Sequence, residues 1–269
     1  TQNQYLVLKT PQPKVSFPFA RRFSHIVVRT DRFGLKAQVV LPRLIGPLSL
    51  DLFHSLHSAI PLAHRGVMVM TVHDIIPVMS PWSFGRSGVR NRLASTYMTA
   101  LVRTCVNKAA YVAVSSESTK RDMIEHLGAK PERLRRVYLG INHEEFTPPP
   151  GADGIPARLG ITGPFFLTVT NFKPHKNTAM LLRAFRLLRE RVPQVQLAVV
   201  GADARKLAKN LGDADALASE GVRILGYQDD RTITGLMSTT IAFVHPSLYE
   251  GFGFPVVEAM AAGAPVITS

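Results

Sequence analysis

"FFLTVTNFKPHKNTAMLLRAFRLLRERVPQVQLAVV", residues 165–200, decides how this 269-residue chain folds. An apolar run, Phe165–Thr170, turns through a basic loop into a helical pattern over Asn177–Glu190. A second apolar run, Val195–Val200, closes the unit. Short apolar runs alternating with helical patterns are the signature of β-α units stacked around a parallel sheet. Downstream the alternation continues as helix Ala204–Glu220, strand Val222–Ile224, helix Asp229–Thr239, strand Ile241–His245, helix Pro255–Ala262 and strand Pro265–Thr268. Upstream, strands are expected at Tyr5–Leu8, His25–Val28, Gln38–Leu41, Leu52–His54, Val67–Val72, Tyr111–Val114 and Arg136–Tyr138. Arg90–Ala109 reads as a long amphipathic helix, and Glu117–Leu127 as a shorter one capped by Ser115-Ser116 and ended by Gly128.

"FTPPPGADGIPARLGITGP", residues 146–164, interrupts this rhythm with prolines and glycines. The expected fold class is therefore α/β, with two Rossmann-like domains facing a crevice: residues 1–147, a linker at 148–164, and residues 165–269. The chain starts at Thr1 without an initiator methionine and stops at Ser269 inside an apolar run, so both domains are expected to be incomplete.

Lys and Arg outnumber Asp and Glu by 32 to 19, a formal charge of +13, which attracts anions. The basic residues are scattered, with no aromatic-basic stripe and no zinc-finger spacing, so nucleic acid is not the expected partner. An anionic membrane surface and nucleotide phosphates remain, beside the plainer reading of a soluble basic surface. Cys105 is the only cysteine, which excludes an intramolecular disulfide and fits a reducing, cytoplasmic compartment. Its helical context reads as a small buried residue rather than a nucleophile.

In open α/β sheets ligands bind at the carboxyl ends of the strands. After Phe165–Thr170, Lys173 and Lys176 bracket a turn, His175 lies between them, and Asn177 can cap the following helix. A helix N-terminus beside two ammonium groups suits a diphosphate, although the loop alone also reads as solvated and basic. After Ile241–His245, Glu250 precedes Gly251-Phe252-Gly253 and Glu258 follows about one turn into the next helix, whose first turn Pro255 suits. The glycines allow close backbone approach to a ligand. That spacing sets the two carboxylates at two points along one elongated ligand, as hydroxyl acceptors, rather than against each other; helix capping accounts for either glutamate equally well. His73-Asp74 stands at the end of Val67–Val72, again toward the crevice, where such a pair is usually structural. It lacks the convergent ligands of a metal site, so no metal is expected.

Three segments, "YLGINHEEFTP" (138–148), "FLTVTNFKPHKNTAMLLRAF" (166–185) and "HPSLYEGFGFPVVEAMAAGAPVITS" (245–269), resemble the retaining nucleotide-sugar glycosyltransferases of family 4, which have the GT-B fold. "HDIIP" (73–77) and "KPHKN" (173–177) look most like the variants in bacterial mannosyltransferases of surface polysaccharide synthesis. The resemblance implies that Lys176 neutralises the donor's diphosphate and that Glu258 binds the ribose hydroxyls. Glu250 and the backbone of Gly251, Phe252 and Gly253 would hold the hexose and phosphates, and His73 would contact the transferred sugar. Where many members have Gly-Arg this chain has Thr170-Asn171, so Lys173, with Asn171 beside it, stands in for the missing arginine. The glycine-rich loop of the first domain and the closing helices beyond Ser269 are absent, as expected of a chain truncated at both ends.

The implied reaction transfers a hexose, mannose by the motif variants, from a nucleoside diphosphate sugar to a glycan or lipid-linked acceptor with retention. GDP-mannose would be co-substrate, with no further cofactor. The expected location is the cytoplasm, with peripheral contact at the inner face of the plasma membrane. A non-catalytic nucleotide-binding or scaffold protein, or an inactive fragment, would carry the same motifs.

Overall fold

Upstream of residue 146 the apolar runs form two groups of parallel strands. The computed structural model describes residues 3–9, 11, 23–30, 34–79, 89–201 and 214–269. Tyr5–Lys9 (β1) and Phe23–Val27 (β2) pair with each other. Helix Leu35–Ile45 (α1) leads to Phe53–Ser55 (β3) and Met68–Val72 (β4), and short helix Ile76–Met79 (α2) to long helix Val89–Lys108 (α3). Tyr111–Val114 (β5), helix Glu117–Leu127 (α4) and Leu134–Arg136 (β6) complete a parallel sheet in the order β3-β4-β5-β6. Met68, Met70 and Val72 point inward at alternate positions of β4, against Cys105, Val112, Val114, Met123 and Leu134. Cys105 is fully buried, as its sequence context implies, and burial pushes its thiol pKa up.

The second sheet is built from Ile155–Arg158 (α5), Phe165–Val169 (β7), Thr178–Arg191 (α6), Gln196–Val200 (β8), Ala214–Ser219 (α7), Val222–Gly226 (β9), Asp230–Thr239 (α8), Ala242–His245 (β10), Phe254–Ala261 (α9) and Val266–Thr268 (β11). Its strands are all parallel, in the order β11-β10-β7-β8-β9. All five residues of β8 are buried, as a strand covered by helices on both faces requires. From β7 the chain winds outward through β8 and β9, then returns to β10 on the opposite flank. The carboxyl ends of β7 and β10 therefore bracket the topological switch point, where a ligand crevice opens in such sheets.

Some elements depart from the sequence reading. Gln38–Leu41, expected as a strand, lies within α1: Ala37 and Ile45 bury one helical face, and Gln38 binds Ile60 O and Leu62 N. A short apolar run does not separate strand from buried helix by periodicity. The strand expected at Arg136–Tyr138 falls at Leu134–Arg136, because Leu134 is the residue that reaches the core while Val137 and Tyr138 are exposed. Of the helix expected over Ala204–Glu220, Ala214–Ser219 is helical and 202–213 lie outside the described residues. The proline-glycine stretch is packed rather than slack. Ile155 and Ile161 sit in the second core with Phe165, Leu236 and Phe243, and a Cβ on Gly235 would lie 2.3 Å from Ile155 Cδ1. Gly235 in the middle of α8 is thus the seat for Ile155.

Candidate active site

The loop after β7 is shaped by short-range polar contacts. Thr170 Oγ1 lies 3.1 Å from Thr178 Oγ1 and accepts from Phe172 N, and Asn171 Oδ1 accepts from Lys173 N at 3.3 Å. Phe172 and Asn177 both adopt left-handed backbone, with φ of 55° and 53°. Asn177 does stand at the N-cap of α6, but its side chain makes no capping bond there: the left-handed backbone leaves only its carbonyl to accept, from Met180 N and Leu181 N. Side chains of Asn171 and Lys173 are exposed, while Lys176 is drawn inward at the end of the 3-10 turn Pro174–Lys176.

What draws Lys176 inward is Glu250. The loop after β10 docks on the first loop through Leu248 N donating to His175 O at 2.8 Å. This brings Lys176 Nζ to 2.6 Å from Glu250 Oε1, with side chains 15% and 23% exposed. His245 Nε2, on a ring 3% exposed, is 3.0 Å from the same oxygen, and Ser247 Oγ is 3.1 Å from that nitrogen. Residues that the sequence distributes along a ligand, Lys176 on phosphate and Glu250 on hexose, are here an ion pair. Burial alone would raise the Glu250 carboxyl, but hydrogen bonds from His245, Lys176 and Ser247 outweigh it and hold the pKa at about 2. For His175, burial and then Lys176 lower the pKa, so the ring stays neutral at pH 7.

These shifts fix a pH dependence. Both folded-state values lie below the unfolded ones, so their stabilisation is fully present above the unfolded values and lost on acidification. For Glu250 the window runs from about 4.5 down to about 2. Chemical unfolding should therefore show the wild type losing on the order of 1–3 kcal/mol more than Glu250→Gln between pH 6 and pH 2.5. Equal losses would remove the ionised carboxylate from the stability of this site.

The first domain reaches the same loop. His73 follows β4 with an exposed side chain, and its carbonyl accepts from Ser115 Oγ at 2.8 Å. Thr119 Oγ1 lies 3.3 Å from that carbonyl and 3.2 Å from Gly251 O, so one hydroxyl links the two domains. Tyr249 donates to Asp122 Oδ2 at 2.8 Å, and burial, then that bond, raises the pKa of its phenol. A Cβ on Gly251 would lie 2.0 Å from His73 O. Gly251 is therefore occupied by close approach of the first domain's backbone, a different use from the phosphate approach that its sequence context indicates. Gly253 has a separate reason for being glycine, a φ of 85° at the N-cap of α9. Phe252 and Phe254 form an edge-to-face pair with centroids 5.3 Å apart.

Between the domains lies a cavity of about 320 Å³, lined by Ser118 from the first and by His245, Glu250, Phe252, Gly253 and Ser269 from the second. Glu258 stands further along α9 and does not line it. Burial, and then the charge of Asp230, raise the Glu258 pKa. The structure thus brings Lys176, Glu250 and the backbone of His73 and Gly251 together, and keeps Glu258 apart as a half-buried carboxylate. Sequence reasoning missed His245, Ser247, Thr119, Tyr249 and Asp122. The rule that singled out His73, a side chain at a strand's carboxyl end, applies equally to His245. Asp122 gives no such signal, being one residue on a helix of the other domain. Asp122, Glu125 and His126 bring potential ligand atoms within 4.8 Å of one another on α4, with Asp122 already bound by Tyr249.

Two parallel sheets facing a crevice, with an acid-base cluster at the switch point, define the GT-B class of fold. The chain belongs to the glycosyltransferases: residues 5–145 match the family described as Glycosyltransferase Family 4, and residues 155–269 match Glycosyl transferases group 1. It is 28% identical over 210 residues to the O-antigen chain mannosyltransferase B of Escherichia coli, covering 75% of this chain and 52% of that protein. To the O-antigen chain mannosyltransferase RfbU of Salmonella typhimurium it is 25% identical over 213 residues, covering 79% and 54%. The chain thus spans about half the length of these relatives. Among solved structures, WaaG, a glycosyltransferase involved in lipopolysaccharide biosynthesis, aligns at a TM-score of 0.72 and 20% identity, over 95% of this chain and 70% of that one. Anabaena HepE in complex with UDP-glucose aligns at 0.72 and 19%, over 99% and 80%.

Proposed function

We propose that this chain carries the donor site of an enzyme that transfers a hexose, with mannose as the first candidate, from a nucleoside diphosphate sugar to a glycan or lipid-linked acceptor, with retention of configuration. The observation that carries the reading is the meeting of Lys176, Glu250 and His245 where β7 and β10 end at the switch point. Mannose and GDP are favoured because the relatives at 25–28% identity are named mannosyltransferases, whereas the UDP-glucose complex belongs to a structure at 19%. Retention is implied by the family resemblance.

When the glycosidic bond breaks, negative charge grows on the leaving diphosphate while the sugar becomes oxocarbenium-like. Lys176 exchanges its carboxylate partner for that diphosphate, and Lys173, exposed on the same turn, adds a second charge, so these groups need no accompanying cation. Glu250, released from Lys176, accepts from hydroxyls of the hexose. Glu258 accepts from the ribose, and His73 contacts the transferred sugar from the first domain. The net charge of +13 favours peripheral contact with an anionic inner membrane face, where lipid-linked acceptors sit. Among the described residues no helix is long and apolar enough to cross a membrane.

A screen of donor hydrolysis and transfer across GDP-mannose, UDP-glucose and related sugars tests the reading. Turnover of UDP-glucose alone would replace the donor, and nucleotide binding without turnover of any sugar would leave a binding protein.

Glu258 makes a paired prediction. Its raised pKa means that ionisation costs stability, a cost absent at low pH and present once pH rises through the folded-state value. Glu258→Gln should melt higher than wild type at pH 7.5, with the difference gone at pH 4. The same variant should bind GDP at least tenfold more weakly, since hydrogen bonds to a charged group contribute about 1.5–3 kcal/mol. Unchanged GDP affinity would take Glu258 out of the ribose site.

A further inference from the structure

We infer that His245 is a positioning residue for Glu250, holding that carboxylate ionised and in place when Lys176 leaves it for the donor's diphosphate. The inference rests on the donor site proposed above.

Two partners meet one oxygen, and they differ in kind. Lys176 Nζ and His245 Nε2 both contact Glu250 Oε1, at 2.6 and 3.0 Å. Lys176 comes from another loop on a flexible four-carbon stem, so its ammonium can move to a nearby phosphate without moving the backbone. His245 cannot move in this way. It belongs to a strand, its ring is 3% exposed and stacks on Phe243 at 5.9 Å, and its carbonyl accepts from Thr268 Oγ1 at 3.1 Å. The mobile cation is thus the partner free to serve a ligand, and the fixed imidazole is the one that stays. With Nε2 protonated, the ring donates to Glu250 while Ser247 Oγ accepts from or lies beside the same N–H.

A carboxylate that loses its only donors in a partly buried site takes up a proton and ceases to be an acceptor for sugar hydroxyls. The other charged groups facing this place do not substitute. Lys173 is exposed and makes no side-chain bond to Glu250, and His175 is held neutral beside Lys176. From the first domain, Asp74 adds like charge and His73 offers its backbone to Gly251. His245, supported by Ser247, is what remains.

The test is a carboxyl titration by NMR of the chain labelled with ¹³C-glutamate, without and with saturating GDP, in wild type, His245→Leu and His245→Gln. In wild type the Glu250 signal should titrate low in both states. In His245→Leu it should rise on adding GDP by at least one pH unit, a tenfold shift, and by less without GDP, where Lys176 is still paired. His245→Gln, whose amide can donate from the Nε2 position, should behave as wild type. If His245→Leu does not fold, His245→Asn, which is too short to reach Oε1, takes its place. A leucine or asparagine variant that titrates like wild type with GDP bound overturns the inference. Failure of the wild-type chain to bind GDP would instead remove the donor-site reading, and with it the exchange of partners, and glutamate signals that GDP leaves unperturbed would show it in the same titrations.

Discussion

Lys176→Ala should slow hexose transfer by about 10²–10³-fold, equivalent to about 2.7–4 kcal/mol in the barrier, the effect of removing one preorganised donor from a developing oxyanion. The loss should fall on kcat more than on donor KM, because charge on the leaving diphosphate grows between ground state and transition state. Thermal melting should show a folded protein. The lysine side chain belongs to a loop outside the hydrophobic cores, and Glu250 keeps His245 as a hydrogen-bond partner after the lysine is gone. Single-turnover transfer measured beside a melting curve separates the outcomes, and near-normal turnover in a folded Lys176→Ala protein would end the phosphate role.

Lys176 also shows where sequence reading succeeds and where it stops. The strand, loop and helix around it are legible because each is decided locally: an apolar run fills β7, and Leu181, Leu182 and Phe185 fall on one face of α6. The position of the loop at a switch point follows from the order of such units. The partner does not follow, because Lys176 and Glu250 are 74 positions apart and meet only through two loops whose docking depends on a backbone bond from Leu248 to His175. Gln38–Leu41 failed for a related reason: what makes it helical is Gln38 binding backbone more than 20 positions away, and no local pattern carries that. Gly251 and Gly253 are one motif in sequence, yet one is glycine because another domain lies against it and the other because its φ is positive. Only the folded arrangement assigns each glycine its cause.

Gly251→Ala is the sharper test of how the two domains cooperate. The added Cβ would sit 2.0 Å from His73 O and 2.8 Å from both His73 C and Asp74 Cβ, and the first two are backbone atoms with no rotamer to yield. The contact can be relieved only by separating the domains or by bending one of the loops, at about 1–3 kcal/mol for overpacking of this kind. Separation would pull Thr119 away from Gly251 O and Tyr249 away from Asp122, the hydrogen bonds that now cross the crevice. Each sheet keeps its own core, so the variant should melt close to wild type while the distance between spin labels on α3 and α6 lengthens. Transfer should fall about 10²-fold, the loss that a displacement of about 1 Å produces when reacting groups come from two bodies. Gly253→Ala serves as the contrast. It strains a left-handed residue by roughly 1–2 kcal/mol but meets nothing closer than Val256 Cγ2 at 4.0 Å, so it should lower stability without changing the label distance. An unchanged distance together with full transfer in Gly251→Ala would mean that the contact between His73 and Gly251 is not part of the working enzyme.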